Sequence, residues 1–192
     1  MPKSEEPPKV PESETLLYRL LESRSIIIGQ EITDESTQRV ISQLLLLEAA
    51  DPGKEIKIFI NSPGGSADGG FAIFDTVRFI KSPVKTIATG LVASAASLVL
   101  LGAKKEHRFG FPHCRILIHQ PSTQLHGSAS DIDITAQEIL KLRDKANQLI
   151  AAETGQTVQK VAADTNRDYW MGPEEAKKYG LIHKIIRSHD DL

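Results

Sequence analysis

Cysteine occurs once in the 192 residues, at Cys114. A single thiol cannot close an intramolecular disulfide or supply a CxxC metal site, and a chain built without disulfides fits a reducing compartment. An excess of one charge is lacking too, since 23 Lys and Arg stand against 25 Asp and Glu, a formal net charge of −2. That balance argues against a dedicated nucleic-acid or anionic-membrane binder, whose affinity rests on a basic surface. No apolar run reaches the roughly 20 residues of a membrane span. The opening MPKSEEPPKVPES has neither the apolar stretch of a secretory signal nor the Arg-rich, acid-poor bias of a transit peptide. A cytoplasmic chain is expected, with residues 1–13 as a disordered tail.

What is present is enough apolar material, 40% of the residues, to bury one ordinary core. Residues 14–192 therefore read as a single domain. Leu16, Leu17, Leu20 and Leu21 recur at helical spacing and feed a β-branched run, Ser25–Ile28, stopped by Gly29. Thr33 or Asp34 suits the cap of a helix whose apolar positions Val40, Ile41, Leu44, Leu45 and Leu47 run to Asp51-Pro52-Gly53. Strand Glu55–Ile60 enters Asn61-Ser62-Pro63-Gly64-Gly65, and a helix over Ala67–Ile80 follows with Ile73, Val77 and Ile80 on one stripe. Strand Val84–Ala88, stopped by Gly90, and helix Ala93–Ala103 complete a strand-helix alternation, the pattern of parallel β–α units.

Lys104 to Arg108 reads as a solvated charged loop. Cys114–Ile118 is a further strand, ending at His119-Gln120-Pro121. A helix from Asp131 to about Glu153, closed by Gly155, is longer than a globular domain needs and is predicted to protrude and to carry an oligomer contact. Short helices over Val158–Ala163 and Pro173–Tyr179 and a strand over Leu181–Ile186 close the chain.

Chemistry enters at Thr86–Ala103, where a buried strand turns sharply into a buried helix. Ser94 falls at the first turn, where unpaired N–H groups and the positive end of the helix dipole stabilise an oxyanion. Acyl transfer to a serine also needs a base, a group that orients the base, and two N–H donors. His119 at a strand end, Asp168 in the loop between two short helices, and the turn Gly64-Gly65 stand where sites of parallel sheets cluster. With six histidines and many serines and aspartates, spacing alone does not single these out. Close helix packing by small residues, a satisfied strand-end histidine and a helix-flanking acid remain open readings. Ser97, one turn deeper, is a rival nucleophile, and His107, His113 and His119 lack the spacing of a metal site.

The motifs NSPGG (Asn61–Gly65), GLVAS (Gly90–Ser94), RILIHQP (Arg115–Pro121), DIDITAQEIL (Asp131–Leu140) and DTNRDYWM (Asp164–Met171), the last followed by PEEAKKYGLI, stand in one order along the chain. Together they resemble the Clp protease proteolytic subunits over about residues 14–188. The resemblance implies an α/β, crotonase-like fold of repeated β–α units with a protruding handle helix at about 131–154. It implies a serine endopeptidase with Ser94 as nucleophile, His119 as general base and acid, Asp168 as orienting carboxylate, and the backbone N–H groups of Gly65 and Ala95 as oxyanion hole. It further implies self-association into paired seven-membered rings, a tetradecamer. Unfolded protein substrates are threaded in by an AAA+ Clp unfoldase that uses the ATP, so the subunit itself needs no cofactor or metal.

The chain departs from the family pattern at several places. Leu91-Val92-Ala93 and Ala95-Ala96 alter the wall beside the nucleophile, and Ser122-Thr123-Gln124 replaces the usual Leu-Gly-Gly along the edge where an extended peptide pairs. Lys57 stands where an aromatic residue usually meets the unfoldase, with Phe59 retained, and Asn166 replaces an acid that helps join the rings. The amino-terminal segment lacks the apolar gate sequence. These substitutions raise the alternative of a structural or weakly active paralogous subunit that works in a mixed complex with a second, more typical one. A distant alternative is an acyl-CoA hydratase or isomerase of the same fold superfamily, which shares the oxyanion hole but needs no serine and histidine pair.

Overall fold

Each β–α unit buries its strand by laying its helix back against the sheet, and the chain repeats this step three times before the topology changes. The computed structural model describes residues 12–192. Of the tail expected over 1–13, positions 1–11 lie outside the described residues, and Glu12 and Ser13 open helix α1 (Glu12–Glu22). Then come β1 (Ser25–Ile28), α2 (Asp34–Ala50), β2 (Ile56–Ser62), α3 (Ala67–Phe79), β3 (Val84–Ala93) and α4 (Ala95–Leu101). The three strands pair in parallel, with Ile26 opposite Ile58 and Ile58 opposite Thr86.

Thr33 and Ser36 cap α2 reciprocally: each hydroxyl accepts from the other residue's backbone N–H, at 3.2 and 2.8 Å. Such a cap contributes about 1 kcal/mol. Of the apolar positions expected on the inner face of α2, Val40, Leu44 and Leu47 are buried, whereas Leu45 is exposed. One residue past Leu44 is about 100° around the helix, outside the buried stripe. On α3, Ile73 and Val77, with Ile80 just beyond it, are buried as the spacing predicts.

β3 does not stop at Ala88 but runs to Ala93. It continues because it changes partners: Thr86–Ala88 pair with β4 (Arg108–Gly110), and Leu91–Ala93 pair with β5 (Arg115–Ile118). On its other side the register against β2 shifts between Ile60 and Ser62, where Asn61 Oδ1 accepts the Leu91 N–H at 2.9 Å. Gly90 makes room for that side chain, since a Cβ there would lie 2.5 Å from Asn61 Oδ1.

Arg108, expected in a solvated loop, is fully buried, while Lys104, Lys105 and Glu106 are exposed as predicted. The guanidinium donates to the carbonyls of Ala103 (2.8 Å), Leu101 (3.1 Å) and Glu153 (2.9 Å), and to the Glu153 carboxylate. A charge enters a core when its donors are met in this way. The order of charges along the sequence carried no sign of it.

α5 (Ala129–Thr154) spans 26 residues. Only Asn147, Ile150, Ala151 and Thr154 of it are buried, and its first half projects with Ile132, Ile134 and Leu140 exposed, as the excess length predicted. After α6 (Val158–Asp164) the chain forms β6 (Tyr169–Met171), antiparallel to β5, where a loop between helices was expected. α7 (Pro173–Tyr179) leads to β7 (Lys184–Ile185), shorter than the expected 181–186 strand. Its partner β4 has three residues and offers only two register pairs, flanked by the His183 N–H on the Arg108 carbonyl (2.7 Å) and the Ile186 N–H on the Gly110 carbonyl (2.9 Å), while Leu181 and Ile182 are buried ahead of the strand. Five strands lie in the order β1-β2-β3-β4-β7, with β5 on the far half of β3 and β6 beyond it. No helix among the described residues is long and apolar enough to cross a membrane.

Candidate active site

Ser94 stands between β3 and α4 with φ 55° and ψ −125°. Among the described residues only Arg24 shares a positive φ without being glycine. This backbone costs about 1–3 kcal/mol and persists only where neighbours over-determine it. Here they do: the Ser94 N–H donates to the Leu117 carbonyl at 2.9 Å, and the Ser94 carbonyl accepts from Ser97 N–H (2.9 Å) and Ser97 Oγ (2.6 Å). Ser97 is buried and spends its hydroxyl on this brace, which removes it as a rival nucleophile. The strained strand-to-helix turn presents the Ser94 side chain to a cleft rather than to the sheet. Its hydroxyl makes no hydrogen bond to any described residue.

The Gly64-Gly65 turn packs directly against this one. At Gly64 (φ +94°) a Cβ would lie 2.5 Å from the Ala93 carbonyl oxygen and 2.7 Å from Ser94 Cβ, so only glycine permits the approach. Ser62 Oγ accepts the Gly64 N–H at 3.2 Å, and Ile32 brackets the turn, donating to the Gly64 carbonyl (2.7 Å) and accepting from Ser66 N–H (2.8 Å). The N–H groups of Gly65 and Ala95 have no acceptor among the described residues. Both residues line the same cleft of about 550 Å3 as Ser94 and His119. Leu98, Ile118, Leu142 and Ile150 form its apolar wall.

His119 follows β5, and Asp168 precedes β6. Ile118 pairs with Tyr169 in antiparallel register, so His119 and Asp168 are the next opposed positions outward. Nδ1 of His119 lies 3.2 Å from Oδ1 of Asp168, with the imidazole largely buried and the carboxylate 62% exposed. Beside Tyr169, whose ring centroid lies 5.9 Å from that of Tyr179, the Asp164 carboxylate accepts from Tyr179 Oη (2.9 Å) and Lys160 Nζ (2.7 Å). Burial, aided by the Asp164 carboxylate, raises the Tyr179 hydroxyl well above its ordinary value, so it stays a donor. Cys114, at the start of the β5 segment, is fully buried, and burial pushes its thiol up to about 11, which makes it a poor nucleophile.

Of the residues singled out in the sequence, Ser94, His119, Gly65 and Ala95 line the cleft and Asp168 reaches it through His119, whereas His107 and His113 do not line it. Sequence reasoning missed β6 and the role of Gln120, which donates through its backbone N–H to the Thr165 carbonyl at 2.6 Å and through Nε2 to the Asn166 carbonyl at 2.8 Å. The β-branched and aromatic signal of β6 is three residues long, too short for periodicity to register.

A family model described as Clp protease matches residues 9–189. The ATP-dependent Clp protease proteolytic subunit 2 of Treponema denticola is 50% identical over 184 residues, covering 96% of this chain and 92% of that protein. Proteolytic subunit 1 of Shouchella clausii is 51% identical over 168 residues, covering 88% of this chain and 87% of its own length. Among solved structures, a ClpP1 mutant from Listeria monocytogenes is similar with a TM-score of 0.84 and 42% identity, over 91% of this chain and 98% of that one. With the family match spanning almost the whole chain, this protein belongs to the Clp protease family.

Proposed function

We propose that this chain is a serine endopeptidase, the proteolytic subunit of an ATP-dependent Clp protease, in which Ser94, His119 and Asp168 form the catalytic triad. One observation carries the reading: His119, 3.2 Å from Asp168, lines one cleft with Ser94, whose hydroxyl has no hydrogen-bond partner among the described residues. Asp168 holds the Nδ1–H tautomer of His119, leaving Nε2 to take the Ser94 proton as Oγ attacks the scissile carbonyl. The unengaged N–H groups of Gly65 and Ala95 receive the developing oxyanion. His119 then protonates the leaving amine, and water, activated by the same imidazole, releases the acyl-enzyme. The apolar wall at Leu98 and Ile118 accepts a substrate side chain. The hydroxyl of Ser94 and the imidazole are not yet hydrogen-bonded, a looseness that substrate binding tightens.

The subunit works without a cofactor of its own. It self-associates into paired seven-membered rings in the cytoplasm and receives unfolded proteins from an AAA+ unfoldase that consumes the ATP. A second reading, a structural or weakly active subunit that works in a mixed complex with a paralogue, is favoured by the departures from the family pattern beside the nucleophile and at Ser122 and Thr123, which line the cleft.

Intact mass after fluorophosphonate treatment tests both. The wild type, Ser94→Ala and His119→Ala are compared alone and mixed with a second Clp proteolytic subunit. An adduct that needs both Ser94 and His119 supports the triad, and its dependence on the partner selects the mixed complex. No adduct in either state refutes the peptidase reading in favour of a structural subunit.

A further inference from the structure

Asp168 is held in place by very little of its own. Apart from His119 Nδ1, its carboxylate contacts no hydrogen-bond donor among the described residues, and its side chain is 62% exposed. Its position is therefore set by its backbone. On the carboxyl side, Tyr169 is fixed by the β5–β6 ladder against Ile118. On the amino side, the fixing comes from Gln120, the residue directly after the base. The two carbonyls that Gln120 engages, at 2.6 and 2.8 Å, belong to Thr165 and Asn166, which lead into Arg167 and Asp168. Thr165 is itself buried, with Oγ1 2.8 Å from Asn147 Oδ1 on α5 and 2.8 Å from the Val161 carbonyl.

Both ends of the acid's loop are thus tied to the strand that carries the base. We infer that Gln120 is a positioning residue, whose side-chain bond to Asn166 sets the reach of Asp168 to His119. The inference rests on the triad reading above. Geometry errors of about 1 Å cost catalytic groups much of their effect, so a loop held at two points serves the dyad better than one held at a single point. Asn166 takes part chiefly through its backbone carbonyl, at 2.8 Å, with its side-chain Oδ1 at 3.5 Å from the same Nε2.

The test is a double-mutant cycle on the assembled enzyme, with kcat and KM measured for a fluorogenic peptide. Gln120→Met keeps the length of the side chain without a donor, and Gln120→Glu keeps its shape but turns an oxygen toward the Asn166 carbonyl. Each is made alone and with Asp168→Ala, and thermal unfolding and particle size are followed in parallel. Losing one net hydrogen bond corresponds to a fall in kcat of about three- to ten-fold with KM unchanged. In the Asp168→Ala background the same changes are expected to be silent. An equal loss in both backgrounds, a change confined to KM, or full activity in both variants would overturn the inference. If Asp168→Ala itself leaves kcat untouched, the triad reading fails and this one with it. If Asp168→Ala is impaired while both Gln120 variants are not, this inference alone fails.

Discussion

Ile118 of β5 faces Tyr169 of β6, and this single antiparallel pair is what brings the next residues outward, His119 and Asp168, to 3.2 Å. The proposed base and its acid come from opposite sides of a strand pair formed by segments separated by all of α5 and α6. The proposed nucleophile, Ser94, follows a third strand, β3, whose last residues pair with the same β5, Ala93 opposite Leu117. β5 is therefore the common ruler of the proposed triad.

Asp168→Ala is expected to lower kcat by roughly 10²–10⁴-fold, the usual worth of a group that orients and stabilises a catalytic imidazole. The thermal midpoint should hardly move, because a largely exposed side chain outside any buried network contributes within about 0.5 kcal/mol. Peptide hydrolysis and calorimetry on the same preparation check the two halves. A large stability loss would mark Asp168 as structural.

Two glycines with similar backbones separate strain from site geometry. Gly53 (φ +84°) has nothing within 4 Å of a built Cβ, whereas at Gly64 (φ +94°) that atom would meet Ala93 O, Ser94 Cβ and Ala95 N. Gly53→Ala and Gly64→Ala should each lose about 1–2 kcal/mol from the left-handed conformation. Only Gly64→Ala should also suppress fluorophosphonate labelling of Ser94, by displacing the nucleophile and the Ala95 donor together. Equal labelling of the two variants would contradict the close-packed turn.

The β–α alternation was legible because each early strand is a β-branched run followed by a helical stripe, two periods that differ sharply. Ser94 and the two glycine turns were legible for the same reason: they sit at breaks in that pattern. Arg108 was not, since a guanidinium enters a core only when distant carbonyls at Leu101, Ala103 and Glu153 are there to receive it, and no local window contains Glu153. β3 beyond Gly90 was misread because a glycine that ends many strands here makes room for Asn61. The proposed triad was singled out only through resemblance. Its geometric cause, the β5–β6 register, depends on pairing between segments far apart in sequence, which composition does not encode.

Alkaline pH should reveal the burial of Cys114. Its thiol is pushed up to about 11 in the folded chain, from an ordinary value near 9. Above the unfolded value the unfolded chain gives up a proton that the folded chain keeps, so stability falls as pH rises from about 9 to about 11. The contribution is on the order of 2 kcal/mol. Urea unfolding at pH 8 and pH 10.5 is expected to show a larger alkaline loss in the wild type than in Cys114→Ala. Identical losses would show that the thiol does not titrate with unfolding. At pH 8 the native thiol should also resist alkylation until the chain unfolds.

Arg108 and Lys105 belong to one charged stretch, yet opposite effects are expected from them. The Arg108 guanidinium serves the end of α4 through Leu101 and Ala103 and the end of α5 through Glu153, where helix carbonyls have no partner of their own. It also shares the Glu153 carboxylate with Arg78, whose Nη2 lies 2.6 Å from it. Arg108→Met has similar bulk but strands the Glu153 carbonyl and leaves the Glu153 carboxylate and the carbonyls of Leu101 and Ala103 with only Arg78, which reaches those two carbonyls at 3.3 and 3.5 Å, and it should cost about 3–5 kcal/mol. Lys105→Met, at an exposed position, should stay within about 0.5 kcal/mol of the wild type. Because Arg108 ties the helix that follows Ser94 to the base of the projecting helix, its loss should also loosen the cleft, seen as a slower fluorophosphonate reaction at temperatures where the variant is still folded. The comparison of urea midpoints decides the matter: if the two variants shift together, Arg108 behaves as the solvated charge that its neighbours in sequence suggest, and the shared cap of α4 and α5 carries no weight in the fold.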